Sequence, residues 1–157
     1  MEHCQILAVG QKMPHWCETA CQEYLVRLSR FIKITLTEIP AAKRAKTVNA
    51  ALCMEDEGQR ILAKTLASDY VVALEVKGKA YSTPQFAQAW QKWREKGKRV
   101  VFVIGGPDGL SKACLERADA RWSLSELTFP HPLARVLLIE QLYRGCSLLE
   151  NHPYHRE

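Results

Sequence analysis

One short apolar run limits the possible folds of this chain more than any other segment. Val100–Ile104 consists of five consecutive apolar residues, mostly β-branched, with basic residues before it and glycines after it. A run of this kind is typical of a strand that is buried on both faces, and such strands lie in the middle of parallel sheets. Since parallel strands need long crossover connections, usually helices, the run predicts an α/β fold.

A glycine-rich turn follows this strand. Gly105 and Gly106 have no Cβ atoms, and the next residues, Pro107–Gly109, have the composition of a tight turn. In open α/β sheets, ligands bind outside the carboxyl ends of the strands, which is where this turn is expected. The turn therefore indicates either a ligand-binding loop or a plain connection between a strand and a helix.

The rest of the chain alternates between strand and helix patterns. Strands are predicted at Gln5–Val9, Ile32–Ile39, Tyr70–Val76 and Val100–Ile104, with a short fifth strand around Trp122 and Leu124. Helices are predicted at about Pro14–Ser29, Val48–Ala67, Thr83–Lys96, Ser111–Ala118 and Leu133–Leu149. This order predicts one α/β domain over residues 1–157, with a mostly parallel sheet and helices on both faces.

Length and composition exclude several classes of protein. The 157 residues suffice for one domain with a sizeable core, and 47% hydrophobic with 25% charged residues is typical of globular proteins. The chain lacks the ~18 consecutive apolar residues of a membrane span and the basic and apolar regions of a signal peptide. We therefore expect a cytoplasmic protein without membrane contact, whose six cysteines are free thiols in the core.

Basic residues cluster at two places, and the formal net charge of +5 favours a polyanionic partner. Lys43, Arg44 and Lys46 precede the second predicted helix, and Lys77 and Lys79 form a predicted flexible turn after the third strand. Such residues bind nucleic-acid phosphates and release counterions, which gives affinity without reading the base sequence. The five are candidate RNA contacts, and the alternative is a solvated surface.

The last predicted helix is more apolar than one interface requires. On a helical wheel, Glu140, Gln141, Arg144 and Ser147 gather in one arc, and apolar residues cover more than half of the circumference. A surface helix needs a single apolar stripe. The excess predicts a second packing surface, either inside the subunit or in a symmetric homodimer.

The C-terminal tail is rich in chemically active groups. Residues Asn151–Glu157 include two histidines, a tyrosine and an arginine, which suit acid–base chemistry, stacking and the recognition of phosphates or carbonyl groups. Two histidines alone do not favour a metal site. The alternative is a frayed terminus without a function.

Four separated segments agree in order and spacing with one known family. They are Val9–Pro14, Ile104–Ser111, Trp122–Ser125 with Thr128–Pro132, and Asn151–Arg156. On these motifs the chain closely resembles the RlmH family, bacterial SPOUT-class enzymes that methylate N3 of a pseudouridine in 23S ribosomal RNA. The resemblance extends from the first predicted strand to the tail.

The resemblance implies a fold and a cofactor. Family members are homodimers of a SPOUT-type α/β-knot domain, whose C-terminal part forms a deep trefoil knot that binds S-adenosylmethionine. Glu126 stands in the cofactor loop where a small residue is expected, so its effect depends on whether its side chain points inward. By resemblance, the cofactor-binding residues are Leu74, Gly105, Gly106, Ser125, Glu126, Leu127, Thr128, Phe129 and Pro130.

The resemblance also implies a substrate, a pseudouridine in an intersubunit stem-loop of 23S rRNA, in the 70S ribosome or the large subunit. Methylation requires loss of the N3 proton, and the tail offers His155 to accept it, Arg156 to stabilise negative charge and Tyr154 to orient the base. We expect the tail to reach the cofactor site of the partner subunit. Two alternatives are a SPOUT methyltransferase that acts on a ribose 2′-hydroxyl of another RNA, and a non-catalytic ribosome-binding protein.

Overall fold

The centre of the fold is a five-stranded sheet in which all neighbouring strands are parallel. The computed structural model describes residues 3–44 and 49–156. The strands are β1 (His3–Val9), β2 (Lys33–Ile39), β3 (Tyr70–Ala80), β4 (Val100–Ile104) and β5 (Ala120–Ser123), in the spatial order β2-β1-β4-β3-β5. The predicted parallel sheet, with Val100–Ile104 in its middle, is confirmed.

Four α-helices connect the strands, a fifth follows β5, and a short 3-10 helix, Pro153–Arg156, ends the described chain. Side-chain caps begin three of the helices, at Asn49, Ser82 and Ser111. The N-cap of the third helix is Ser82, which forms a reciprocal capping box with Gln85. The helices are α1 (His15–Leu28), α2 (Ala50–Leu62), α3 (Thr83–Arg94), α4 (Lys112–Arg117) and α5 (His131–Leu149).

Helices cover both faces of the sheet, as predicted. In β4, Phe102 faces a core that includes Trp90 of α3 and Leu138 of α5. Its neighbour Val103 faces a second core that includes Ile61 of α2. All five residues of β4 are buried, since successive side chains point to opposite faces of a sheet.

The third strand is longer than its sequence pattern predicts. Lys77–Lys79, predicted as a flexible turn, lies within β3, where Lys79 pairs with Trp122 of β5. The register between the two strands shifts between Leu74 and Lys79. A Cβ atom at Gly78 would lie 2.8 Å from the backbone of Arg121. Glycine therefore permits a close strand contact here, and the predicted turn is wrong.

The last helix packs on α1 and α3 of its own subunit. Gly145 marks the close contact with α3, because a Cβ atom there would lie 3.0 Å from the Phe86 ring. Packing within the subunit thus accounts for part of the apolar surface of α5. The six cysteines are free and buried, as predicted. In the described part of the chain, no helix combines the length and apolar character that crossing a membrane requires.

Candidate functional site

A cavity of about 460 Å³ lies at the carboxyl end of β4 and beside the part of β3 that follows its pairing with β4. Three segments line it: 74–76, residues of the glycine loop between 104 and 110, and residues between 122 and 134. Its volume is within the range of small-molecule sites. The cavity therefore lies where ligands bind in open α/β sheets.

Eight of the nine residues predicted to bind the cofactor line this cavity. The exception is Glu126, which is exposed and does not line it. Sequence reasoning missed Glu75, Val76 and His131, which also line the cavity. The first two belong to the predicted strand Tyr70–Val76, in which only Leu74 has an assigned role, and His131 lies inside the Thr128–Pro132 motif without an assigned role. Lining residues with an assigned role are Leu74, Gly105, Gly106, Ser125, Leu127, Thr128, Phe129 and Pro130.

The glycine loop is folded tightly on itself. A Cβ atom at Gly105 would lie 2.5 Å from the carbonyl carbon of Gly109, and one at Gly106 would lie 2.8 Å from a carboxylate oxygen of Glu57. Gly109 has a φ of +87°, a conformation that favours glycine. The loop thus requires glycine for its own packing, whether or not a ligand is bound.

A buried carboxylate lies against the glycine loop. Glu57, whose side chain is 2% exposed, accepts hydrogen bonds from the backbone N–H of Ala42 and from both Nη atoms of Arg44, at 2.7 and 3.1 Å. Arg44 also donates to Asp108 in the glycine loop, at 2.9 Å. The hydrogen bonds to Glu57 and Asp108 raise the pKa of Arg44. The guanidinium therefore links α2 to the glycine loop.

The other predicted RNA contacts lie on the surface. Lys43, Lys77 and Lys79 are exposed, and Lys46 lies outside the described residues. The ammonium of Lys79 lies 5.2 Å from the centroid of the Tyr81 ring. Arg44 differs from these lysines because it faces two carboxylates.

A second buried network connects the first turn of α5 to the loop. Arg135, whose side chain is 2% exposed, donates its Nε–H to Nε2 of His131 at 2.9 Å, so the ring proton of His131 is on Nδ1. That atom donates to the carbonyl oxygen of Gly105 at 3.0 Å. Arg135 also donates to Glu38 and to the carbonyl of Gly10, at 2.7 and 2.8 Å. Burial, and then the charge of Arg135, lower the pKa of His131, so its imidazole is neutral at pH 7.

The tail packs on its own subunit, away from this cavity. The Tyr154 hydroxyl donates to Glu140 at 3.1 Å and lies 3.4 Å from the Tyr24 hydroxyl, and burial raises the pKa of Tyr154. In the described chain, Nδ1 of His155 is buried without a hydrogen-bond partner, and Arg156 is exposed. None of the three lines the cavity of its own subunit. Along α5, Glu140 lies about 14 Å from His131.

Comparisons with known proteins find similar chains over nearly the whole length of this one. The sequence model of a family described as "Predicted SPOUT methyltransferase" matches residues 2–155. The protein named ribosomal RNA large subunit methyltransferase H of Hahella chejuensis (strain KCTC 2396) is 50% identical over 153 residues, which cover 98% of each chain. The crystal structure of a probable rRNA-methyltransferase from Porphyromonas gingivalis matches with a TM-score of 0.52 and 14% identity. That match covers 94% of this chain and 70% of the other, and it concerns the fold alone.

Proposed function

The chain belongs to the SPOUT methyltransferase family, and on this premise we propose that it transfers a methyl group from S-adenosylmethionine to 23S ribosomal RNA. The proposed acceptor is N3 of a pseudouridine in the intersubunit stem-loop. The observation that supports this function best is the cavity, which is lined by eight of the nine residues expected to bind the cofactor. Ribosomes are the substrate, so the proposed place of action is the cytoplasm.

The lining of the cavity fits S-adenosylmethionine. Apolar side chains such as Leu74 and Phe129 suit the faces of an adenine ring, and backbone groups of the loop 125–130 suit its polar edge. When bound, this cofactor supplies an electrophilic methyl group on a positively charged sulfur. The proposed role of the glycine loop is to hold the donor in a fixed orientation. Fixing donor and acceptor in line accounts for up to about 7–11 kcal/mol of barrier reduction.

The proton chemistry is assigned to the tail. We propose that His155 accepts the N3 proton, that Arg156 stabilises negative charge on the uracil carbonyls and that Tyr154 orients the base. The unpartnered Nδ1 of His155 and the exposed side chain of Arg156 support these roles.

A composite site in a homodimer explains how the tail reaches a cavity. Within one subunit, Tyr154 packs beside Glu140, about 14 Å along α5 from the cavity residue His131. The exposed apolar side chains that are available to a second copy include Trp16 on α1 (53% exposed) and Leu127 at the cavity (69% exposed). We therefore propose that the tail of each subunit completes the site of the other. The proposed fold of the C-terminal part is the trefoil knot of the family.

Electrostatic attraction to RNA is proposed for the basic residues. Lys43, Lys77 and Lys79 are exposed, which supports direct phosphate contacts, and Lys46 shares the proposal from its sequence position. The sequence pattern groups Arg44 with these lysines as an RNA contact, but its pairing with Glu57 and Asp108 favours a structural role.

Methyl transfer to isolated ribosomal particles tests the proposed function. Labelled S-adenosylmethionine is incubated with the protein and 70S ribosomes, large subunits or small subunits, and modified nucleosides of the RNA are mapped by mass spectrometry. We expect label in 23S rRNA as N3-methylated pseudouridine. Label on a ribose 2′-oxygen would support the other SPOUT activity, and ribosome binding without label would support a non-catalytic role.

A further inference from the structure

The described lining of the cavity carries a net negative charge. Among the described residues that line it, Glu75 is the only one with a formal charge at pH 7. The only other titratable side chain in the lining is His131, which is held neutral by burial and by the neighbouring charge of Arg135. Arg135, which donates a hydrogen bond to His131, does not line the cavity, and it is paired with Glu38 at 2.7 Å. The lining therefore carries one negative charge and no positive charge.

Glu75 is not paired with a cationic side chain in the described part of the chain. Glu75 follows Leu74 in the part of β3 where the register with β5 shifts, and it is half-buried. Its Oε1 atom accepts the backbone N–H of Lys77 at 3.2 Å, and no salt bridge joins its carboxylate to another described residue. A carboxylate in a partly desolvated cavity attracts a cation more strongly than one in bulk water.

We infer that Glu75 selects for the positive charge of the methyl donor and against the demethylated product. This inference rests on the proposed function, because it assumes that S-adenosylmethionine binds in this cavity. The donor carries a sulfonium, an ammonium and a carboxylate. Methyl transfer breaks the C–S bond and leaves its electron pair on sulfur, which becomes a neutral thioether, while N3 of the acceptor gives up its proton and gains the methyl group. Donor and product therefore differ by one positive charge next to the same carboxylate.

The selection has a consequence for turnover. Before transfer, the carboxylate of Glu75 favours retention of the charged donor. After transfer, the attraction to the sulfur is lost, whereas contacts with the adenine and ribose remain. Glu75 thus lowers the affinity for product relative to donor and favours exchange of the two ligands.

Calorimetric titration of E75Q in the full-length protein tests the inference. Glutamine has nearly the same shape and keeps an oxygen that accepts the Lys77 N–H, so only the charge is removed. The probes are S-adenosylmethionine, S-adenosylhomocysteine and sinefungin, which carries an amine in place of the sulfonium methyl group. We expect E75Q to weaken the binding of the two cationic probes about tenfold, a free-energy change of about 1.4 kcal/mol, and to leave S-adenosylhomocysteine within about twofold.

Two control variants separate charge from fold. E55Q makes the same chemical change at an exposed carboxylate of α2 that does not line the cavity, and we expect it to bind all three probes as the wild type does. E75D retains the charge and is expected to retain the preference for the cationic probes. Equal weakening of all three probes by E75Q would overturn the inference, because it would place Glu75 against a group that donor and product share. Unchanged binding by E75Q would overturn it as well. A wild type that binds none of the probes would instead contradict the proposed function itself.

Discussion

The Nδ1 atom of His131 lies 3.0 Å from the carbonyl oxygen of Gly105, which joins the first turn of α5 directly to the glycine loop of the cavity. His131 is in turn held by Arg135, and Arg135 bonds to Glu38 and Gly10 at the ends of β2 and β1. One buried guanidinium thus connects two strand ends and a helix start to the loop. This connection explains how the cavity keeps its shape although its walls come from distant segments of the chain.

Loss of the His131 hydrogen bond is expected to weaken cofactor binding. H131A removes the donor to the Gly105 carbonyl and leaves Arg135 without one of its acceptors. A hydrogen bond of this kind contributes about 0.5–1.5 kcal/mol, so the Kd for S-adenosylmethionine should rise roughly two- to twelvefold. Titration calorimetry measures the change, with H15A on the exposed start of α1 as the control. An unchanged Kd in H131A would contradict the positioning role of His131.

The same histidine should make the protein less stable in mild acid. Burial keeps the pKa of His131 below its usual value of about 6.5, so as the pH falls the unfolded chain binds a proton before the folded chain does. The contribution of His131 to stability is therefore complete above about pH 6.5 and is lost as the pH falls towards the folded pKa. Between about pH 7.5 and pH 5.5, Tm should fall less in H131Q than in the wild type, while H15Q should follow the wild type. Equal slopes in all three proteins would refute the assignment.

Arg44 should matter for stability even without RNA. R44M leaves the Glu57 carboxylate, 2% exposed, without its cation, and also removes the link to Asp108. Because the Arg44 side chain is 30% exposed, we expect a loss below the 3–5 kcal/mol typical of buried pairs, about 2 kcal/mol in the free energy of unfolding. Urea unfolding gives the value. K112M, which breaks the solvent-exposed pair of Lys112 with Glu116, should cost no more than about 0.5 kcal/mol. If R44M lowered the free energy of unfolding as little as K112M, Arg44 would be only a surface cation.

The exposed lysines of β3 should account for part of the salt dependence of ribosome binding. If Lys77 and Lys79 contact phosphates, the double variant K77Q/K79Q should reduce the slope of log K against log salt concentration by about 1 to 2. Binding of the protein to 70S ribosomes over a range of potassium concentrations measures this slope. K33Q is the control, because Lys33 is exposed at the amino end of β2, opposite the cavity edge of the sheet. A slope in K77Q/K79Q equal to that of K33Q would show that both lysines are only solvated.

Local patterns predicted most of the sheet. Val100–Ile104 has the same bounds in the sequence prediction and in the structure, because five apolar residues between polar and glycine boundaries determine a buried strand locally. The sequence prediction of the end of β3 is wrong. Glycine between two lysines is typical of a turn, but the role of Gly78 depends on the backbone of Arg121, 43 positions along the chain. Likewise, the second helix ends at Leu62 rather than near Ala67.

Site residues that belong to a recognisable motif could be predicted from the sequence. Contacts between residues that are far apart in the sequence could not. The resemblance placed Ser125 and Gly105 at the cavity, which their spacing alone does not do. The basic pattern around Arg44 predicts an RNA contact or a solvated cation, and it does not reveal the ion pairs, because the partners Glu57 and Asp108 lie 13 and 64 residues away. The role of His131 depends on a carbonyl 26 residues away, and no local signal reveals that contact.

We propose that the cavity of one subunit and the tail of its partner together form each active site. This composite site is tested by co-expressing two differently tagged chains, one lacking residues 151–157 and one carrying L74W, which places a larger side chain in the wall of the cavity to obstruct it. Methyl transfer to 70S ribosomes is then measured for each homodimer and for the purified heterodimer. We predict that neither homodimer transfers methyl groups and that the heterodimer does, since one of its two sites combines an intact cavity with an intact tail. A heterodimer that forms but remains inactive would contradict the composite site.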